Sequence, residues 1–270
     1  MENKKSVDFV TSLGIKALTL FATVKDMFYL LMQILHWLFI GPFKGKAAKR
    51  DSIFDQMVFV GVKSIVIVFF IAVFTGFVLA MQSAYQLQQL GAVIYVTGLV
   101  AVSITRELGP VLTALVVAGR VGAAITAQLG SMKVSEQIES LETMAINPVR
   151  FLVVPRFLAL LIMMPALAAI ADLSGILGGF FIGVTNLNIN PYLYIEMTKE
   201  FLALKDIMTG LLKSAVFGVI ICLVACYKGL NTKGGAEGVG KATTESVVTS
   251  FVLIIVADAI LTAVFYFGNM

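Results

Sequence analysis

The sequence predicts an all-α integral membrane protein: an interfacial helix near the amino terminus, five transmembrane helices and one short cytoplasmic helix. Hydrophobic residues make up 59% of the 270 residues, and the mean hydropathy is +0.96. Charged residues contribute only 13%, about half of the roughly 25% usual in soluble proteins. A soluble enzyme is therefore excluded. The net charge of +4 reflects charged connections between apolar segments, not nucleic-acid binding.

Residues 6–40 are apolar but do not form a span. At helical spacing, one face carries Ser12, Lys16, Thr19, Thr23, Asp26 and Gln33, and the other carries Leu13, Phe21, Val24, Phe28, Leu31 and Leu35. This alternation predicts an amphipathic helix that lies in the membrane interface. The charges at Asp8, Lys16 and Lys25 break the apolar run, so we do not interpret the segment as a cleaved signal peptide.

Five apolar segments predict spans within a single membrane domain covering residues 1–270. Their bounds are residues 64–84, 92–130, 151–184, 207–227 and 246–267. The first two segments form a hairpin, because no charge occurs in residues 64–105 and the glutamine-rich run 82–89 marks the turn. The second segment is long and contains three charges, so we expect a helix bent near Gly109 and Pro110, where proline removes a backbone hydrogen bond.

The basic residues predict the orientation. Those before the first span and in the second and fourth connections all fall on one side: Lys44, Lys46, Lys49, Arg50, Lys63, Lys133, Arg150, Arg156, Lys228, Lys233 and Lys241. The opposite connections hold uncharged glutamines and a mixed cluster at residues 196–206. The positive-inside rule therefore places the amino terminus in the cytoplasm and the carboxyl terminus outside.

The connection at residues 131–148, SMKVSEQIESLETMAINP, predicts a short amphipathic helix. Its apolar residues recur at helical spacing among acidic ones: Val134, Ile138, Leu141 and Met144 alternate with Glu136, Glu139 and Glu142. The helix could lie on lipid, but three carboxylates suit an anionic cytoplasmic leaflet poorly. A protein partner is the favoured interpretation.

Adjacent charges at Arg106 and Glu107 stand inside an apolar helix. Neighbours in sequence do not face each other on a helix, so each needs a separate partner, within the chain or across a subunit interface. A structural ion pair and a role in a transport path both remain open. Arg120 is expected to reach a carbonyl or the inner interface. Asp172 and Asp258 are candidates for proton coupling or for structural hydrogen bonds.

Several other patterns have simple interpretations. Gly175, Gly179 and Gly183 predict close helix contact, within one bundle or between two copies. Residues 235–241 imitate a phosphate-binding loop, but Ala242 replaces the hydroxyl residue that the pattern requires, so a flexible cytoplasmic loop is expected. Two cysteines, Cys222 and Cys226, are expected to be buried thiols. We predict no metal site and no catalytic residues, since the sole histidine, His36, lies on the interfacial helix.

Residues 103–157, SITRELGPVLTALVVAGRVGAAITAQLGSMKVSEQIESLETMAINPVRFLVVPRF, resemble the signature of the MlaE family of ABC-transporter permeases. These permeases work with MCE (mammalian cell entry) proteins in lipid traffic. The run GFVLAMQ at residues 76–82 and the segment at residues 228–244 are also similar to this family. The resemblance covers nearly the whole chain, and its RELGP, AGRVG and NPVRF elements are specific.

The resemblance implies a permease subunit of an ATP-driven transporter that moves phospholipids between a bacterial inner membrane and a periplasmic MCE-protein channel, toward maintenance of outer-membrane lipid asymmetry. It implies a homodimer bound to a cytoplasmic ABC ATPase dimer, and the ATPase would hold ATP and Mg. This chain itself would bind no cofactor and would not be an enzyme.

The resemblance also implies functional positions. The substrate-path candidates are Leu79, Gln82, Leu87 and Leu90, with Arg106 and Glu107 close to the path. The cytoplasmic helix would be the coupling helix, and its ATPase-coupling candidates are Glu136, Ile138, Glu139, Leu141, Glu142 and Met144.

Three alternatives remain. An ABC permease for another hydrophobic or small solute would share the coupling helix, although a small polar solute is disfavoured by the few polar residues along the predicted cavity. A proton-coupled secondary carrier using Glu107, Asp172 and Asp258 would transport without an ATPase. A structural scaffold that anchors a partner would tolerate the loss of cavity residues.

Overall fold

A computed structural model describes residues 22–39 and 50–267, which are mostly helical and contain no strand within those ranges. The helices are α1 (residues 22–39), α2 (Arg50–Val60), α3 (Ile65–Gln88), α4 (Val93–Val134), α5 (Gln137–Thr143), α6 (Val149–Thr185), α7 (Pro191–Phe201), α8 (Leu204–Leu230) and α9 (Gly235–Phe267). Five helical segments of the described part are long and apolar enough to cross a membrane. The predicted all-α membrane fold is therefore confirmed.

The helices extend past the predicted spans mainly on the side that carries Lys133, Lys228, Lys233 and Lys241, here called the lysine-rich side. There α2 precedes the apolar part of α3, and α9 begins at Gly235, well before its apolar part. These charged turns remain helical because the backbone hydrogen bonds of a helix do not depend on the hydropathy of its side chains. By contrast, only Gln137–Thr143 of the predicted helix at 131–148 forms a separate helix, since α4 continues through Val134.

Helix α1 is the described part of the predicted interfacial helix; residues 6–21, residue 40 and the lysines at 44, 46 and 49 lie outside the described residues. Leu30 and Ile34 are buried against the bundle, whereas Val24 and Phe28 are exposed. One apolar edge therefore rests on the protein and another faces outward, which suits a helix at a membrane surface.

Helix α6 forms the centre of the bundle. Within its most apolar stretch, 61% of the residues are buried, against 28% for the segment that contains α3 and 11% for α9. Helices α3 and α8 pack most extensively against α6, and α9 packs on α8 and on the end of α4. The largest fully buried side chains are those of Tyr194, Lys213 and Phe217, and most of the others are aliphatic, such as Leu160, Met164 and Ile221. Helices α3 and α9 thus keep wide apolar faces without cover from their own chain.

The glycine row of α6 makes its contacts within this one chain. A Cβ on Gly76 of α3 would lie 2.0 Å from the carbonyl oxygen of Gly175, and a Cβ on Gly179 would lie 2.6 Å from Val100 of α4. The backbones therefore approach at distances that only glycine permits. Between the two interpretations left open by spacing, the structure supports contact within the bundle.

Tyr194 of α7 covers the end of this glycine row. Its side chain is 1% exposed, and a Cβ on Gly183 would lie 2.5 Å from its ring. Its hydroxyl has no hydrogen-bond partner among the described residues. Burial raises the pKa of Tyr194 to about 12, so the phenol remains neutral.

We expect Tyr194→Phe to leave thermal stability unchanged or to raise it. The substitution removes a buried unpaired hydroxyl, a group whose burial costs about 1–3 kcal/mol, and it keeps the ring that packs on α6. Thermal unfolding of the purified protein, followed by scanning fluorimetry, measures the effect. A clear fall in the unfolding temperature would show that the hydroxyl is hydrogen-bonded in the protein.

Helix α4 departs from regular α geometry at the predicted place. A π-helical turn at Ile104–Leu108 immediately precedes Gly109 and Pro110, and a second one occupies Ala118–Gly122. A π-turn shifts backbone hydrogen bonds by one residue and often marks functional positions. The first π-turn contains both Arg106 and Glu107, so the irregular backbone and the intramembrane charges coincide.

Candidate functional site

Arg106 joins α4 to the start of α8. Its Nε donates to Asp206 Oδ1 at 2.7 Å, and Asp206 is only 2% exposed. The other oxygen of Asp206 accepts from the backbone N–H of Ala203 at 3.2 Å, at the helix start where such donors lack partners. This carboxylate therefore stabilises the beginning of α8 and neutralises a charge on α4.

Lys213 of α8 is the centre of the site. Its ammonium group is fully buried, and it donates to Glu107 Oε2 at 2.7 Å and to Asp258 Oδ1 at 3.0 Å. It also lies 2.7 Å from the hydroxyl oxygen of Thr262, which donates in turn to Glu107 Oε1 at 3.0 Å. Three helices, α4, α8 and α9, thus meet at one lysine.

Pro110 explains a further bond of Lys213. In an α-helix the carbonyl of Arg106 would accept from the N–H of residue 110, but proline has no N–H. Lys213 Nζ donates to this carbonyl oxygen at 3.2 Å. The same proline that disturbs α4 therefore provides an acceptor for the buried ammonium group.

We call these six residues the Lys213 network: Arg106, Glu107, Asp206, Lys213, Asp258 and Thr262. Lys213 and Asp258 each lie about nine residues, or roughly 14 Å, from the helix end opposite the lysine-rich side, within helices long and apolar enough to cross a membrane. Yet Arg106 is 38% exposed, Glu107 36% and Asp258 20%. Charges at this depth do not face lipid tails, because the cost is several kcal/mol. This exposed charged edge therefore requires polar surroundings.

The expectation that Arg106 and Glu107 have separate partners is confirmed, and both partners lie in the same chain. Sequence reasoning missed Lys213, Asp206 and Thr262. Lys213 is a lone lysine inside the apolar segment 207–227, a signal that could have identified it. The sequence places Asp206 in the mixed cluster of the connection, because nothing in its spacing indicates that α8 begins at Leu204.

The other substrate-path candidates lie on the hairpin of α3 and α4. Leu79 and Leu87 are partly buried against a small apolar cluster that includes Ala80 and Val100. Gln82 and Leu90 are exposed. The structure thus divides the candidates between this hairpin and the Lys213 network, whose bonds run to α8 and α9.

The coupling candidates divide between the two faces of α5. Ile138 is buried and Leu141 packs against the core, so both hold α5 on the bundle. Glu139 accepts a hydrogen bond from Lys133, and this bond lowers the pKa of the Glu139 carboxyl. The exposed candidates are Glu136, Glu142 and Met144. Residues before and after α5, Glu136 and Ala145, have positive φ angles of 56° and 58°, which turn the chain sharply at both ends.

The remaining sequence expectations have clear outcomes. Arg120 donates to the carbonyl of Phe59 at 3.3 Å, as expected, and also to the Ser64 hydroxyl. Residues 235–241 lie in the first turns of α9, so the phosphate-loop interpretation was rightly rejected, but the segment is helix and not the expected loop. The two cysteines are buried free thiols, as expected.

Of the three carboxylates in the carrier hypothesis, Glu107 and Asp258 meet on Lys213. Asp172 lies on α6 beside Gly109, and its Oδ1 has no hydrogen-bond partner among the described residues. Within residues 22–39 and 50–267, no group of three or more histidine, cysteine or acidic residues could hold a metal ion.

Comparison with known proteins identifies the family. Residues 53–264 match the family model described as Permease MlaE. A probable ABC transporter permease protein of Rickettsia typhi is 38% identical over 97% of this chain and 95% of the relative. The intermembrane phospholipid transport system permease protein MlaE of Haemophilus influenzae is 34% identical over 96% of this chain and 98% of the relative.

A plant protein, the chloroplastic protein TRIGALACTOSYLDIACYLGLYCEROL 1 of Arabidopsis thaliana, is 34% identical over 83% of this chain and 64% of its own length. The relatives therefore include both bacterial and chloroplast proteins. The match spans α2 to α9 and includes every member of the Lys213 network. This chain belongs to the MlaE family of ABC-transporter permeases, a family of multi-pass membrane subunits that are not enzymes.

Proposed function

We propose that this chain is the permease subunit of an ATP-driven transporter that moves phospholipids between a bacterial inner membrane and a periplasmic MCE protein, and so maintains outer-membrane lipid asymmetry. The observation that carries the proposal is the partly exposed charged edge of the Lys213 network within otherwise apolar spans. A path for phospholipid must accept both acyl chains and a charged head group. The phospholipid transport named for the Haemophilus relative supports the same substrate.

A second copy of the chain would complete the path. Helix α9 exposes a nearly continuous apolar face that includes Val248, Val252, Ile255 and Val256, and α3 exposes Phe69, Phe70 and Phe74. Two copies facing each other through these helices would enclose an apolar space beside Glu107 and Asp258. This arrangement removes the exposed charges from lipid contact without breaking their bonds, which supports a homodimer.

The orientation proposed from the basic residues places α5 in the cytoplasm. There its exposed acidic edge would contact the ATPase dimer, which would bind ATP and Mg. Ile138 anchors α5 in the core of the bundle, and α5 directly follows α4, which carries Arg106 and Glu107 of the Lys213 network. ATPase closure would therefore move the end of α4 and change the cavity between the two copies.

Glu136→Lys combined with Glu142→Lys is expected to weaken ATPase association by about tenfold or more, since reversing two contacting charges costs about 1.4 kcal/mol or more. Binding of the purified ATPase to the permease in nanodiscs measures the effect. The matched control is Glu196→Lys with Glu200→Lys, which reverses two exposed charges on α7 at the opposite side. Equal binding by both double variants would remove α5 from the interface.

The function is tested by gentle purification of the full chain from its native membrane and identification of co-purifying proteins and lipids by mass spectrometry. Recovery of an ATPase, an MCE-domain protein and phospholipid is the expected result. Because Glu107 and Asp258 share one lysine inside the membrane, a proton-coupled carrier is the second candidate. Transport without an ATPase that stops on addition of an uncoupler would favour that carrier.

A further inference from the structure

The Lys213 network contains one more negative group than positive groups. Arg106 pairs with Asp206, which leaves Lys213 as the counter-charge for both Glu107 and Asp258. With all groups ionised, two cations face three carboxylates. Inside a membrane an uncompensated charge is costly, so one more positive charge, carried by a cation or by a proton, would balance the network.

The geometry shows where this charge would come from. Lys213 is fully buried and already lies within hydrogen-bond distance of Glu107, Asp258, Thr262 and the Arg106 carbonyl. An ammonium group has three donors, so its capacity is used. The two carboxylates are instead exposed on their other side, Glu107 by 36% and Asp258 by 20%. A further cation would approach from this exposed side and not from within the chain.

We infer that Glu107 and Asp258 bind the primary ammonium group of an amino-phospholipid. This inference rests on the proposed function and adds a head-group preference to it. A primary ammonium carries both the missing charge and N–H donors for carboxylate oxygens. A trimethylated ammonium has the charge but no donor, and a glycerol head group has donors but no charge. Aliphatic residues of α9 near Asp258, such as Ile255 and Ala259, are exposed and would contact the lipid chains.

Asp258→Asn removes the extra negative charge but keeps an acceptor for the hydrogen bond from Lys213. The amide oxygen still accepts from Lys213, and Glu107 remains as its counter-ion, so the variant is electrically balanced. Asp258→Glu keeps the charge and serves as the conservative variant. The matched control is Asp172→Asn, which removes another buried carboxylate of the membrane interior, on α6 and outside the network.

The test uses the full chain in nanodiscs with equal amounts of phosphatidylethanolamine, phosphatidylcholine and phosphatidylglycerol of identical acyl chains. Bound lipids are then released and counted by mass spectrometry. We expect the wild type, Asp258→Glu and Asp172→Asn to enrich phosphatidylethanolamine about twofold to fivefold, as suits a partly exposed ion pair. Asp258→Asn is expected to bind the three lipids equally.

Equal binding of the three lipids by the wild type, or an unchanged preference in Asp258→Asn, would overturn the inference. In both cases lipid would still be bound, and the proposed lipid transport would stand. Failure of the wild type to retain any of the lipids would instead count against the proposed function itself. If Asp258→Asn does not fold, as judged by gel filtration, Glu107→Gln removes the same single charge from the other carboxylate.

Discussion

Lys213→Met is expected to lower the free energy of unfolding by about 3–5 kcal/mol, the cost measured when one partner of a buried ion pair is removed. Methionine has nearly the length of lysine, so packing changes little. The loss arises because Glu107 and Asp258, which lie within apolar spans, would lose the ammonium group that each contacts. Thermal unfolding and the yield of folded protein from the membrane measure the effect.

Two further variants show how much of the loss in stability comes from the missing charge of Lys213 and how much from changed packing. Lys228→Met, in the same helix, breaks the ion pair of Lys228 with Glu245, whose side chains are 24% and 45% exposed. It should cost less than about 1 kcal/mol. Combining Lys213→Met with Glu107→Gln and Asp258→Asn removes the two stranded charges and should recover most of the lost stability. A triple variant as unstable as the single one would show that packing, and not charge, is responsible.

The sequence was sufficient for the fold because each span carries its own signal. An apolar run of about 20 residues must be helical in a membrane, since only a helix satisfies its backbone groups locally. Helix ends outside the hydrocarbon layer have no such signal, which is why α9 begins at Gly235 and not near residue 246. The glycine row predicted close contact, but its partner, Gly76, was fixed only by the fold.

The site was only half predictable for a related reason. Arg106 and Glu107 stand out as charges in an apolar helix, so their need for partners follows from physical cost alone. The identity of the partners depends on which helices touch: Asp206 and Lys213 are about 100 residues away in sequence. The spacing of apolar residues correctly predicted that α5 is amphipathic. It did not indicate that the carboxylate of Glu139 accepts a hydrogen bond from Lys133, which precedes α5. Local periodicity does not contain that information.

Gly76→Ala is expected to destabilise the protein, although alanine favours a helix over glycine by about 1 kcal/mol. The new Cβ would lie 2.0 Å from the carbonyl oxygen and 2.9 Å from the carbonyl carbon of Gly175. A carbon and a carbonyl oxygen normally approach no closer than about 3.3 Å. Both atoms belong to the α6 backbone, so no side chain can rotate away, and α3 must move off α6 by about 1 Å. Overpacking of this kind costs about 1–3 kcal/mol or more, so the clash outweighs the gain in propensity.

Gly119→Ala in α4 is the matched control, because its Cβ would meet only the ring tip of Phe251 at 4.0 Å. Gly119→Ala should leave the unfolding temperature unchanged or raise it, because alanine favours a helix over glycine. In Gly76→Ala the clash with α6 outweighs that gain. Comparison of the two variants therefore shows whether Gly76 is needed for close approach of the α3 and α6 backbones or only for helix flexibility. If both variants unfold at the wild-type temperature, α3 does not contact α6 closely. Since α3 also carries the path candidates Leu79 and Gln82, Gly76→Ala should reduce lipid retention as well as stability, whereas Gly119→Ala should change neither.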